Sequence, residues 1–404
     1  MLFRLAWRNI WRNKLRSTVL VLSVIIGLWA GMFIMSFSWG LNKEHVKDVI
    51  ETQLSHIQIH HPDFQEDKMV EYTISNGDVI KEKLKADSRV KGVASRNITS
   101  GMISSPSYAA GVMIYGIKPE EEKSVTTILA AVIKGSDFTN EKRSELLIGE
   151  KLAEKLGVKL KNKIVLTFQS KSGEITSGSF RIVGIFKTKN SENDESTVYT
   201  RFSDLSQLLG TGKDIHEIAV LLKEDAMFEG IAKELTLAYP GLQVQTWKQL
   251  APELQLIVDS FYQYMYIFIA IILLGLMFGI VNAMLMAVLE RQHEFGMLMA
   301  IGMNKKNVFN MIMLETLMLT SVGIPIGLMI TYITIEYFHK YGIDISAFSK
   351  GMAKFGYSTV IHPELETTYY FDVALMTAGS AVLSAIYPAI KALKLEPASA
   401  IRKI

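Results

Sequence analysis

Ser17-Thr-Val-Leu-Val-Leu-Ser-Val-Ile-Ile-Gly-Leu-Trp-Ala-Gly-Met-Phe-Ile-Met-Ser-Phe-Ser-Trp39 contains no charged side chain. A helix needs about 20 predominantly apolar residues to cross the hydrocarbon core of a bilayer, so this stretch is long enough to span one. Its upstream flank is basic, with Arg4, Arg8, Arg12, Lys14 and Arg16, and no acidic residue occurs before Glu44. A cleaved signal peptide would have a shorter apolar core, about 7–15 residues, followed by a small-residue cleavage site. Here the block closes on Ser36-Phe37-Ser38-Trp39-Gly40, without an Ala-x-Ala pattern. The stretch reads as an uncleaved anchor.

Three further blocks follow. Ile267–Leu289 lies behind an aromatic collar of Phe261, Tyr262, Tyr264 and Tyr266. Val308–Ile335 carries Glu315 near its start and Pro325 in its middle, and Tyr369–Ile390 opens on Tyr369, Tyr370 and Phe371 and ends near Pro388. Aromatic residues gather where membrane meets water because one end of the side chain is apolar and the other polar. A proline inside a span is tolerated when neighbouring groups satisfy the freed carbonyl, so Pro325 predicts a kink rather than a break. The composition agrees with this division, at 49% hydrophobic and 21% charged over 404 residues. A net charge of +3 with no basic block interleaved with aromatics gives no case for a nucleic-acid partner. The absence of cysteine excludes disulfides and thiolate metal sites.

Basic residues in short segments near the membrane set orientation. They concentrate before the first block, between the second and third (Arg291, Lys305, Lys306) and after the fourth (Lys391, Lys394, Arg402, Lys403). The segment between the third and fourth blocks is mixed, with Asp344, Lys350, Lys354, Glu364 and Glu366. With four spans, all three basic segments fall on one side, so both termini are expected in the cytoplasm. The predicted fold is a membrane protein of four transmembrane α-helices, one plus three, with a large α+β extracytoplasmic domain inserted between helices 1 and 2. Its parts are a lead-in helix at 1–16, spans at 17–40, 261–289, 308–337 and 369–390, the outside domain at 41–260, a cytoplasmic loop at 290–307, an outside loop at 338–368 and a tail at 391–404.

Within the outside domain, alternation or β-rich composition predicts strands at Leu54–His60, Gly111–Ile117, Lys163–Gln169, Phe180–Phe186 and Ile215–Leu222. Partial apolar stripes predict helices at Asp78–Ala86, Glu150–Leu156, Phe202–Leu209 and Phe228–Tyr239. The irregular mixture disfavours a doubly wound sheet. The polar, glycine-containing run Ser170–Ser179 reads as a hairpin or exposed loop, and Thr188–Ser196 as a second loop.

Candidate chemical sites are few. His56 and His60 would share one face of a strand beside His61, but no acidic or histidine partner is identifiable, and polar positions on a solvent-facing strand account for them. Gly210-Thr211-Gly212-Lys213 fails as a phosphate loop because Gln207 stands where glycine is needed and Asp214 follows the lysine. His293-Glu294 begins like a zinc-protease helix, but Met297 occupies the second histidine position. The twenty methionines fall heavily in the apolar blocks, where flexible packing accounts for them without copper conduction. Glu315 is costly if it faces lipid, leaving two readings: it faces protein, or it sits at headgroup level.

The segment Glu290-Arg-Gln-His-Glu-Phe-Gly-Met-Leu-Met-Ala-Ile-Gly-Met-Asn-Lys-Lys, followed by Glu315, resembles the signature of FtsX/MacB-type (type VII) ABC-transporter permeases. Arg291, Glu294, Gly296, Leu298, Ala300, Ile301 and Gly302 match position by position, with Phe295 replacing the usual isoleucine. Leu5-Ala-Trp-Arg-Asn-Ile-Trp-Arg-Asn-Lys-Leu-Arg-Ser is similar to the family's amphipathic lead-in helix. Tyr387-Pro-Ala-Ile-Lys-Ala-Leu-Lys-Leu-Glu-Pro-Ala-Ser-Ala-Ile-Arg is similar to its terminal motif. The outside domain most resembles the lipoprotein-releasing LolC/LolE branch at Ser55–His60, Tyr115–Glu122, Leu147–Val158 and Phe180–Phe186.

The resemblance implies an inner-membrane, non-enzymatic permease. Arg291, Glu294, Phe295, Gly296, Leu298, Ala300 and Gly302 would receive motion from a pair of ABC ATPase subunits, which alone bind ATP and Mg; no Walker motif is present in this chain. A second permease, identical or homologous, would complete the assembly, and the hairpin Ser170, Lys171, Ser172, Gly173, Glu174 is a candidate docking point for a periplasmic chaperone or partner. Expected functions are lipoprotein extraction from the inner membrane, peptide or drug efflux, and activation of a cell-wall hydrolase. The last is disfavoured by the size of the outside domain.

Overall fold

A computed structural model describes residues 2–12, 14–138, 144–348, 351–352 and 356–393. Lys350, Lys354, Lys394, Arg402 and Lys403, the side chains of Arg16 and Tyr262, and the terminal motif beyond Leu393 lie outside the described residues. The chain divides into two compact units. One comprises Met1–Asn42, Val258–Asp344 and Val360–Ile404, the other Lys43–Ile257 and Ile345–Thr359.

In the first unit a short helix, Leu2–Arg12, leads into four long ones: Lys14–Val49, Pro252–Glu290, Lys305–Tyr341 and Thr367–Leu393. All four are long and apolar enough to cross a membrane. Each outruns its apolar block, because polar residues continue a helix once packing has started it. Pro325 and Pro388 lie inside helices that continue past them. Leu20, Val24, Leu28, Met32 and Met35 recur at spacings of three and four, forming a stripe buried against Ile269, Leu276, Ile280, Val308, Met311, Leu319 and Val373. Small residues allow close approach of the helices. A Cβ added to Gly31 would meet Ile272 at 2.8 Å, and one added to Gly327 would meet Leu28 at 3.1 Å. The outward surface is equally apolar, with Ile26, Phe268, Phe278, Phe371 and Leu375 exposed, as a lipid-facing surface requires.

The second unit is built on a ten-stranded sheet. Its strands are β1 (Ile57–His60), β2 (Val90–Ser104), β3 (Ala109–Ile117), β4 (Val132–Gly135), β5 (Glu145–Gly149), β6 (Lys163–Gln169), β7 (Ile175–Phe186), β8 (Thr197–Arg201), β9 (Glu217–Leu222) and β10 (Gln243–Thr246). The order is β10-β1-β9-β2-β3-β8-β5-β7-β4, and β6 joins β2 to β7. The pairings β2–β3–β8–β5–β7–β6–β2 therefore close on themselves. Ile103, Ile114, Leu146, Ile164, Leu166, Phe168, Phe180 and Val198 pack into one core there, with Leu152 and Leu205 of the helices Glu150–Leu156 and Phe202–Leu209. Among the described strands only β3–β8 and β5–β7 pair in parallel, which fits the α+β expectation.

Several expectations are corrected. The first strand begins at Ile57, not Leu54, because Ile50–Leu54 is a π-helical turn closing the first long helix. It is not solvent-facing: β1 lies between β9 and β10 with His56 and His60 buried. Their polarity is met by acids far away in sequence, Asp225 at 2.9 Å and Glu217 at 3.1 Å. Thr188–Ser196 is not all loop: Asn190 caps a helix, Ser191–Ser196, by accepting hydrogen bonds from the amides of Glu192 and Asn193. Part of the expected outside loop at 338–368, Ile345–Thr359, groups with the sheet unit.

The longest strand, β2, carries no simple alternation because its polar residues are buried and partnered. Register places His60, Glu217 and Arg96 side by side on β1, β9 and β2. Arg96 donates to Glu217 at 2.6 Å and to both oxygens of Glu122 at 2.7 and 3.0 Å. His216 is buried next to this row, donating from Nε2 to the Val70 carbonyl at 3.0 Å and accepting from the Ile98 amide at 3.2 Å. Burial lowers its pKa to about 4, only partly offset by the Val70 carbonyl. The unfolded imidazole titrates near 6.5, so the unfolded chain takes up a proton first as pH falls. Stability should be full above about pH 6.5 and decline toward pH 4, by up to about 3 kcal/mol for a shift of this size. Calorimetry of the purified protein should show the transition temperature falling across that window, and less steeply in His216→Gln. Equal slopes would contradict this role.

Candidate functional site

The matching motif occupies the turn between the second and third spans. Gln292–Ala300 is a helix with Arg291 at its N-cap position. It stops in a Schellman motif: the Gly302 amide donates to the Met299 carbonyl at 3.1 Å and the Met303 amide to the Leu298 carbonyl at 2.9 Å. That geometry needs a residue with positive φ, and Gly302 supplies it at 103°. Asn304 immediately starts the third span by accepting from the Lys306 amide at 3.1 Å. A glycine stop followed by an asparagine start turns the chain sharply.

Arg291 is buried at the centre of the site. Its Nη1 donates to both oxygens of Glu315, at 3.0 and 3.2 Å, and its Nε donates to Glu294 at 3.1 Å. The guanidinium lies over the Phe295 ring, 5.1 Å from its centroid, and Phe295 is itself buried. The other oxygen of Glu294 accepts a hydrogen bond from Arg12 of the lead-in helix. Partial burial raises the Glu294 pKa, but the hydrogen bonds from Arg12 and Arg291 outweigh it, so the carboxyl is held below its usual range. The same contact raises the Arg12 pKa against partial desolvation. The result is a neutral chain of alternating charges, Arg12–Glu294–Arg291–Glu315. It joins the lead-in helix, the short helix and the third span.

The motif residues divide by direction. Arg291, Phe295 and Gly296 are buried, Leu298 and Glu294 are half-buried, and Ala300 and Gly302 are exposed. Glu315 is 4% exposed and faces protein. The outward surface is made largely by Met297, 51% exposed, and Ile301, 80% exposed, of which the motif match included only Ile301. Their spacing of four was the available signal. The hairpin Ser170–Glu174 is an exposed turn between β6 and β7, pinned by Lys171 to Asp214 at 3.0 Å. Among the described residues, no group of three or more His, Asp or Glu side chains is placed to hold a metal.

Two family models match this chain. The FtsX-like permease C-terminal model covers residues 266–397, and the MacB-like periplasmic core domain model covers 17–238. The chain belongs to the FtsX/MacB-type family of ABC transporter permeases. It is 24% identical to the uncharacterized ABC transporter permease YvrN of Bacillus subtilis, over 99% of this chain and 98% of that one. It is 22% identical to the lipoprotein-releasing system transmembrane protein LolC of Neisseria meningitidis, over 72% and 73%. It is 23% identical to the macrolide export ATP-binding/permease protein MacB of Campylobacter jejuni, over 99% of this chain but 61% of that protein.

Breaking the buried pair tests the site's energetics. Glu315→Ala strands a buried guanidinium and should cost about 3–5 kcal/mol. Replacing both partners, Arg291→Leu with Glu315→Leu, should recover most of that loss, since apolar pairs replace buried ion pairs at little cost. Thermal unfolding in detergent measures both. A Glu315→Ala protein as stable as the parent would contradict the pairing.

Proposed function

We propose that this permease is driven by a separate ABC ATPase and transmits ATP-powered motion from its 290–303 turn to its extracytoplasmic sheet unit. Both termini lie in the cytoplasm in this reading, which the basic flanks support. The observation that carries the proposal is the ion-pair chain Arg12–Glu294–Arg291–Glu315, which fixes the short helix to two membrane elements while leaving Met297 and Ile301 outward. A partner pressing on those exposed side chains would move a tied assembly rather than a loose loop. Arg291 and Phe295 position the helix, and Ala300 and Gly302 shape its outer end. The likeness of nearly the whole chain to 61% of a protein named as both ATP-binding and permease supports a nucleotide-hydrolysing partner. A second permease would complete the complex, and the mass of the purified assembly, expected to hold two permease chains, tests this.

The cargo proposed first is lipoprotein extracted from the membrane, on the strength of the likeness to LolC. Efflux of peptides or drugs is the second reading, favoured by the alignment of nearly the whole chain with MacB. The exposed turn Ser170–Glu174 is the proposed docking point for an extracytoplasmic partner. Deleting it should abolish that partner's co-purification while the permease still inserts.

The purified complex distinguishes these cargoes. Lipoproteins that co-purify without ATP and leave when it is added support extraction, whereas stimulation of the ATPase by peptides or drugs supports efflux. A bound cell-wall hydrolase would overturn both. For coupling, Glu294→Lys should leave membrane insertion intact and reduce cargo movement per ATP hydrolysed by roughly tenfold or more, the effect of losing about 1.4 kcal/mol of transmitted interaction. Unchanged cargo movement would contradict the proposed role of the turn.

A further inference from the structure

The lead-in helix Leu2–Arg12 presents two parallel lines to its surroundings. Phe3, Trp7 and Trp11 recur every four residues and are exposed, and so do Arg4, Arg8 and Arg12. Trp7 and Trp11 meet edge to face at 6.1 Å. Aromatic side chains beside a basic line suit the plane where acyl chains meet headgroups. The inward residues, Ala6 above all, hold the helix against the span unit.

Beneath this helix runs an apolar groove of about 310 Å³, lined by Trp7, Trp11, Lys14, Val21, Leu22 and Met318, among others. From Lys14 to Leu22 it follows the first span for about 12 Å of helix rise. Its walls are aliphatic or aromatic along most of that length. Its polar groups gather toward the Lys14 end, where Ser17 and Thr18 also contribute. Arg12 is committed to Glu294, but the described residues record no carboxylate partner for Arg4, Arg8 or Lys14. An apolar slot with a cationic group, Lys14, at one end matches an amphiphile with an anionic head.

We propose that this groove binds one acyl chain of an anionic membrane phospholipid, with the lipid phosphate held at Lys14. The bilayer supplies the occupant, and Trp11 of the groove wall directly precedes Arg12, the residue paired with Glu294. Each basic residue near a membrane surface contributes about 1 kcal/mol toward anionic lipid. Reversing a charge in direct contact with the phosphate should therefore weaken retention about fivefold or more.

The test uses the purified full-length protein, delipidated in detergent and titrated with phosphatidylglycerol or phosphatidylcholine, with retained lipid counted by native mass spectrometry. The expected result is one phosphatidylglycerol retained in preference to phosphatidylcholine. Lys14→Glu should abolish the preference, while Arg4→Glu, the same charge change outside the groove lining, should keep it. Trp11→Ala should lower retention of both lipids by removing part of the wall. Equal loss in Lys14→Glu and Arg4→Glu would show diffuse attraction and overturn the site. Equal retention of the two lipids by the parent protein would overturn it as well.

Discussion

A guanidinium at the edge of a membrane core needs an opposite charge, because removing it from water without one costs several kcal/mol. Arg291 meets that requirement twice, with Glu315 from the third span and Glu294 from its own short helix. Much else in the span unit follows from this arrangement. The turn must be tight enough to return the chain to Glu315, which the Gly302 stop and Asn304 start achieve. Phe295 must cover the guanidinium, and the remaining charge on Glu294 draws in Arg12. A loop that looks merely basic in sequence is thereby fastened to its neighbours.

The four spans were legible because a membrane imposes a coarse rule: a long uncharged run must be helical and must cross. The regular helices and strands of the outside unit, such as Glu150–Leu156 and Lys163–Gln169, were legible from periodicity. Periodicity did not reveal β2, β4, β5, β8 or β10, and β2 shows why. Its run Ser95-Arg96-Asn97 is buried polar sequence, stabilised by Glu121, Glu122, Thr211 and Glu217 from other elements. The buried histidines His56 and His60, beside and in β1, escaped for the same reason, since their acidic partners lie more than 150 positions away. Local pattern reports which residues avoid water, not which distant partner lets a polar residue do so.

The candidate site divides along the same line. The motif located the turn but did not separate residues that hold it from residues that present it. Burial makes that separation: Arg291, Phe295 and Gly296 face inward, whereas Met297 and Ile301 face out. Glu315 could be placed near the membrane edge from sequence, but its partner lay 24 residues earlier, across the turn. The family membership and the ion-pair chain therefore supply different things. The first gives the class of machine, and the second gives the ion pairs that tie the short helix to the lead-in helix and the third span.

That path can be separated from simple stability. In the Arg291→Leu, Glu315→Leu protein, apolar packing replaces the ion pair, so folding and insertion should be retained while the directional tie is lost. The decisive measurement is the amount of cargo released per ATP hydrolysed by this variant, reconstituted with its ATPase and compared with the parent. The account predicts a stable, ATP-hydrolysing complex whose release per ATP falls sharply. Release per ATP equal to the parent's would mean that the buried pair only fastens the fold, and the proposed transmission through it would be wrong.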